Sequence, residues 1–169
     1  MKRAEGNVKS APVLECRGVG RTFESYEKNG ESNVVLKDVN FEVRENEFLV
    51  LFGAGQCGKT TFLNILAGLV KPTSGSLKLD GREIAGRDQR IAMVFQKTGL
   101  YEWKTAMENA ELGLKYRKVP KAKRREIAQK YLDLVGLHGF ENAYPHALSG
   151  GMKQRVGIAR AYTANPEIL

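Results

Sequence analysis

Residues Phe48 to Leu69 read FLVLFGAGQCGKTTFLNILAGL, an apolar run broken by three glycines and a lysine that then resumes with helical spacing. A segment apolar throughout, such as Phe48–Phe52, predicts a strand covered on both faces, as in a parallel sheet flanked by helices. The interruption Gly53-Ala54-Gly55-Gln56-Cys57-Gly58-Lys59-Thr60 fits G-x-x-x-x-G-K-[ST] between that strand and the helix TTFLNILAGL, which stops at Gly68. A loop with little side-chain bulk lets backbone N–H groups wrap a phosphate, and the helix N-terminus adds the positive end of its dipole. Lys59 is then expected on the β- and γ-phosphates of a nucleoside triphosphate, and the Thr60 hydroxyl on Mg²⁺, a hard cation. A chance match in a surface turn would not need strand and helix on either side. Cys57 reads as a reactive thiol or, more simply, as a small residue at a variable loop position.

Outward from this stretch, VLECRGVGRTF from Val13 and VVLKDVNFEV from Val34 to Val43 predict two earlier strands, separated by SYEKNGESN. LKLDG from Leu77 predicts a short strand, and IAMVF from Ile91 a further buried one ending at Gln96. Beyond Thr105 the pattern turns helical: TAMENAELGLKY, a basic helix after Pro120 with Ile127, Tyr131, Leu132 and Val135 on one stripe, and a helix beginning near Ser149.

The chain has 169 residues, 42% hydrophobic and 27% charged, a mixture suited to a soluble globular domain. No apolar run approaches the roughly 18 residues of a membrane span, and residues 1–12 form a polar arm, expected to be disordered, without a secretory signal. With only Cys16 and Cys57, neither a disulfide framework nor a four-cysteine zinc site can be built, and a reducing compartment fits. Much of the net charge of +8 lies in KYRKVPKAKRRE, Lys115 to Glu126. Such like-charged runs are commonly solvated helix faces, the alternative being a nucleic-acid patch.

A second feature lies at Pro145 to Arg160, PHALSGGMKQRVGIAR. Ser149 suits a helix N-cap, which alone would make this a capped helix with a flexible entry. Gly150 and Gly151 beside the cap also bare N–H groups at a helix N-terminus, a second anion site.

With GAGQCGKT, Gln96 after a buried strand, and LSGGMKQR in this order, the sequence resembles the ATP-binding subunits of ABC transporters. The segments GLVKPTSGSLKLDG, VFQKTGLYEW and VGLHGFENAYPHALSGGMKQRVGIARA are similar to those of the nitrate, sulfonate and taurine importer branch, and the likeness covers essentially everything after residue 12. It implies an α/β fold: a P-loop NTPase (RecA-like) core with an antiparallel β portion and an inserted helical subdomain. The implied divisions are an arm at 1–12, the N-terminal part of the core at 13–96, the helical subdomain at 97–148, and the signature helix with the start of the Walker B strand at 149–169. The implied ligands are ATP and Mg²⁺, held by Gly53 to Thr60 together with Thr61, with Lys59 and Gln96 as the catalytic groups and Thr60 and Gln96 on the metal.

The resemblance also implies a head-to-tail homodimer in which Ser149, Gly150 and Gly151 of one subunit contact the γ-phosphate held by Lys59 of the other. Phe23 matches the aromatic that stacks on adenine, although an aromatic at a strand end is equally compatible with core packing. The loop KTGLYEW, through Tyr101 and Trp103, would meet transmembrane permease subunits, the alternative for Trp103 being a core position. A periplasmic or lipoprotein substrate-binding protein would be an indirect partner, no nucleic acid is expected, and the place would be cytoplasmic, peripheral on the inner face of the cell membrane.

Two departures carry expectations. Gln56 stands where the branch more often has glycine, so a backbone conformation natural to glycine is expected of glutamine. The sequence stops at Leu169, where relatives enter the Walker B strand with its aspartate and catalytic glutamate. An N-terminal fragment is expected, with central sheet partners lost, negligible turnover and a tendency to aggregate. The alternative functions are a non-transport ABC ATPase acting on nucleic acid or the ribosome, and a nucleotide-binding fragment without turnover.

Overall fold

The computed structural model describes residues 11–24 and 32–169, so most of the expected N-terminal arm and of the loop after Phe23 lies outside the described residues. The chain divides into two compact units, one up to Asp88 and one from Gln89 to Leu169.

In the first unit, β1 (Leu14–Phe23) pairs antiparallel with β2 (Asn33–Val43) and with β3 (Ser74–Leu79), and β4 (Arg82–Glu83) extends the sheet in the order β2-β1-β3-β4. Leu14 and Cys16 turn inward by strand alternation, Cys16 facing Phe41 on one side and Leu77 on the other. A register shift after Cys16 and Arg17, where Gly18 takes φ 61°, moves the inward position to Val19, so one strand keeps its apolar set on the core side through an irregularity. Against this face lies α1 (Lys59–Leu66), which buries Phe62 and Ile65, three residues apart, among Cys16, Val19 and Leu77. Phe62 meets Phe41 edge-on at 5.3 Å between ring centroids. Burying each large side chain contributes about 1.5–3 kcal/mol.

The expected strand Phe48–Phe52 is not laddered. Phe48 is 91% and Phe52 99% exposed, and no described residue pairs with the segment. A strand exists only with a neighbour to share its N–H and C=O groups, and an apolar run cannot supply one by itself.

The second unit is helical: α2 (Ala106–Ala110), α3 (Leu112–Tyr116), α4 (Lys121–Leu134), a 3₁₀ turn at Pro145–Ala147, and α5 (Gly150–Thr163). TAMENAELGLKY thus forms two short helices that meet at Glu111. Thr105 and Glu108 cap α2 reciprocally, side chain to backbone in both directions. Ala106, Met107 and Ala110 of α2, Ala128 and Leu132 of α4, Val156 and Ala159 of α5, with Leu137 and Leu148, form the core. Of the stripe expected on α4, Leu132 is fully buried, while Ile127, Tyr131 and Val135 are half-buried. Arg124 Nε lies 3.0 Å from the buried carboxylate of Glu111, an ion pair whose angle falls short of a hydrogen bond.

The expected buried strand Ile91–Phe95 is also corrected. Only Ile91 bridges, parallel to Ile168, with the Ala92 N–H donating to the Ile168 carbonyl at 2.9 Å, and Phe95 is exposed. Among the described residues no helix is long and apolar enough to cross a membrane.

Candidate functional site

The loop Gly53–Gly58 is exposed up to its last residue and runs directly into α1. Two of its residues adopt left-handed backbone: Gln56 at φ 63° and Gly58 at φ 92°. Glutamine therefore takes the conformation expected of glycine, at a cost of about 1–2 kcal/mol. Gly58 cannot be replaced so readily, because a Cβ there would lie 2.9 Å from Leu36 Cδ2 and 3.0 Å from the Val35 carbonyl oxygen. No side chain caps α1. Its first backbone bond is from the Phe62 N–H to the Gly58 carbonyl, and the N–H groups from Gly58 to Thr61 find no acceptor among the described residues. A row of unbonded N–H groups at a helix N-terminus is what a polyphosphate would bond.

Lys59 is turned onto its own loop. Its Nζ donates to the carbonyls of Gly53 at 2.8 Å and Ala54 at 2.6 Å and lies 3.5 Å from Cys57 Sγ. Thr60 is exposed on the first turn and Thr61 half-buried behind it. These residues fit a nucleotide with Mg²⁺: one mobile ammonium, one exposed hydroxyl, and a cradle of N–H donors. Phe23, at the end of β1, is 38% exposed, and the Arg21 guanidinium sits 4.4 Å from its ring centroid. The ring is therefore not core, and one face is covered by a cation.

In the second unit Ser149 caps α5, its Oγ accepting from the Met152 N–H at 3.3 Å. Gly150 and Gly151 are exposed, their N–H groups lack acceptors among the described residues, and a Cβ at either would meet only open space. Gln96 is exposed after the Ile91 bridge. Trp103 is 71% exposed and meets the Tyr101 ring edge-on, 5.1 Å between centroids, so the core position is excluded.

Sequence reasoning missed what shapes the loop carrying these aromatics. Fully buried Asn109 accepts from the Tyr101 N–H at 2.8 Å and donates to the carbonyls of Tyr101, Lys104 and Thr105. Arg160 on α5 donates to the carbonyls of Thr98 and Gly99 at 2.7 and 2.9 Å. Burial lowers its guanidinium pKa, and the two carbonyls compensate for part of the lost solvation. An asparagine at an apolar position of an amphipathic helix was the available signal.

Residues 36–169 match the model of the family described as ABC transporter. The taurine import ATP-binding protein TauB of Pelagibacter ubique is 44% identical over 140 residues, 83% of this chain and 53% of that protein. The nitrate import ATP-binding protein NrtD of a Synechocystis strain is 43% identical over 156 residues, 92% of this chain and 58% of that protein. The chain thus spans little more than half the length of these relatives. Among solved structures, a dimeric post-hydrolysis state of the ATP-binding cassette MJ0796 bound to ADP and phosphate superposes with a TM-score of 0.81 at 35% identity, over 90% of this chain and 70% of that one.

Proposed function

The chain belongs to the ABC transporter ATPases, with the P-loop cassette fold of that family, and from this premise we propose that it is the ATP-binding part of a subunit that energises import of a small anion such as nitrate, a sulfonate or taurine. The observation that carries the reading is the pair of exposed, glycine-flanked helix N-termini, one at Lys59 and one at Ser149, each with N–H groups lacking acceptors among the described residues.

Each N-terminus meets one side of a nucleotide. Gly53 to Thr61 wrap the phosphates, Lys59 leaves its carbonyls for the β- and γ-phosphates, and Thr60 with Gln96 holds Mg²⁺. Ser149, Gly150 and Gly151 close on the γ-phosphate from a second copy packed head to tail. Because that grip needs the terminal phosphate, ATP joins the copies and hydrolysis lets them part. Phe23 exchanges Arg21 for adenine. Tyr101 and Trp103 enter a pocket of the transmembrane permease, which places the subunit at the cytoplasmic face of the membrane. The names of the taurine and nitrate relatives support this cargo class.

On its own the 169-residue chain binds ATP with negligible turnover, since Phe48–Phe52, the lead into the phosphate loop, is laddered to no strand among the described residues. Equilibrium binding of a fluorescent ATP analogue with Mg²⁺ tests the reading, with turnover measured beside it. Lys59→Ala is expected to weaken binding at least tenfold, and equal binding by that variant would overturn the assignment.

A further inference from the structure

Away from the nucleotide loop and Ser149, the end of α4 and the turn after it bring together three metal-binding side chains. Asp133 lies on the last turn of α4, His138 follows Leu137, and Glu141 comes three residues after it. The turn is fixed by the chain itself: Gly136 takes φ 70° and donates its N–H to the Asp133 carbonyl, Leu137 bonds back to Leu132 and is fully buried, and the Glu141 carbonyl accepts from the Met107 N–H. Asp133 and His138 therefore flank a buried anchor, Leu137.

The donor atoms converge. His138 Nδ1 is 3.0 Å from Asp133 Oδ1 and 3.8 Å from Glu141 Oε1, and all three atoms lie within 4.8 Å of one another. A tetrahedral ion with bonds of about 2.0–2.1 Å needs donors about 3.3 Å apart, a value these two separations bracket. Gln129 Nε2 donates to both carboxylates, at 2.9 Å to Asp133 and 2.7 Å to Glu141, and the Gly139 N–H adds 3.0 Å to Glu141. Asp133 Oδ1 keeps a lone pair for a metal, whereas Glu141 Oε1 accepts from both Gln129 and Gly139, so Glu141 would ligate through its second carboxylate oxygen, and Gln129 acts as the outer donor that orients both carboxylates.

Charge points the same way. Among the described residues no lysine or arginine pairs with either carboxylate, although the chain holds 27 such cations. An open depression of about 620 Å³, lined by Glu126, Gln129, Lys130, Asp133 and Leu134, borders Asp133.

We propose that Asp133, His138 and Glu141 form a binding site for one divalent transition-metal ion of the zinc class. One imidazole nitrogen with two carboxylate oxygens suits zinc or nickel rather than magnesium or calcium, which prefer oxygen alone. Binding requires His138 to carry its proton on Nε2 and to exchange its contact with Asp133 for the metal. The ion would pin the turn to the end of α4.

The test titrates zinc chloride into the nucleotide-free chain carrying Cys57→Ser and His146→Gln, which removes the exposed thiol and leaves His138 as the only histidine. Nitrogen chemical shifts of the His138 ring are expected to move and saturate at one ion per chain, with Nδ1 as the ligating atom. Asp133→Asn, at an exposed position, and Glu141→Gln, at a half-buried one, are expected to weaken binding at least tenfold, and His138→Ala to remove it when binding is followed by calorimetry. Saturation that leaves the His138 ring unmoved, affinity indifferent to the carboxylate variants, or no saturation below about 1 mM zinc would each overturn the proposal.

Discussion

Asn109→Ala tests whether one buried amide holds the shape of the loop that carries Tyr101 and Trp103. The Asn109 side chain is fully buried and makes four bonds to that segment. Two of the groups it serves keep another partner: the Tyr101 carbonyl still accepts from the Lys104 N–H, and the Thr105 carbonyl from the backbone N–H of residue 109. The Tyr101 N–H and the Lys104 carbonyl lose their only bonds among the described residues. At about 1–3 kcal/mol for each stranded group, reduced because Tyr101 and Lys104 are only half-buried, the loss comes to about 2–4 kcal/mol. Urea unfolding of the helical unit gives this number. The chain's single tryptophan, Trp103, reports the loop directly through its fluorescence anisotropy in the native baseline. A midpoint shifted to lower urea together with lower anisotropy is expected. Asn109→Asp should do no better, because it keeps one acceptor, loses the donors and buries a charge. A change below about 0.5 kcal/mol with unaltered anisotropy would show that the loop is shaped by something else.

Gly58→Ala places a Cβ 2.9 Å from Leu36 Cδ2 at φ 92°, at a cost of about 1–2 kcal/mol for the backbone and about 1–3 for crowding. A lower melting temperature and at least tenfold weaker ATP-analogue binding are expected, and wild-type behaviour in both would contradict the geometry. Burial pushes the Cys16 thiol from its ordinary 9.0 up to about 11, so the native state keeps a proton that the unfolded chain releases. That stability is complete below about pH 9 and falls as pH rises towards about 11, by about 2–3 kcal/mol. Cys16→Ala should flatten this part of the stability profile, and an identical slope in the variant would refute the assignment. The exposed run Phe48–Phe52 is expected to drive association, so Phe48→Lys with Phe52→Lys should delay the onset of light scattering on warming, and equal onset would place the aggregating surface elsewhere.

What the sequence made legible was local. The first two strands, the helix stop at Gly68, the basic helix after Pro120 and the capped helix at Ser149 each rest on signals within a few residues. Each appears near its expected bounds. Phe48–Phe52 and Ile91–Phe95 failed for a shared reason: hydrophobicity says that a segment wants cover, while a ladder needs a second segment whose presence no local pattern records. At the site, the loop from Gly53 to Gly58 and its strained Gln56 were readable because backbone geometry follows residue type. The partners of Asn109 and Arg160 were not, since a polar residue on an apolar helix face signals that it is bonded but not to which of many backbone groups.

The posture of Lys59 has a consequence for how anything enters the loop. By donating to Gly53 and Ala54 the ammonium serves as a latch across its own loop, and binding of a ligand becomes a trade of partners rather than a simple capture. An ion offering a single oxygen gains little by breaking two such contacts. A chain of linked phosphates, meeting the freed amine and the loop amides together, can release the latch and keep it open, which makes selectivity for long polyanions a property of the loop's own hydrogen bonds.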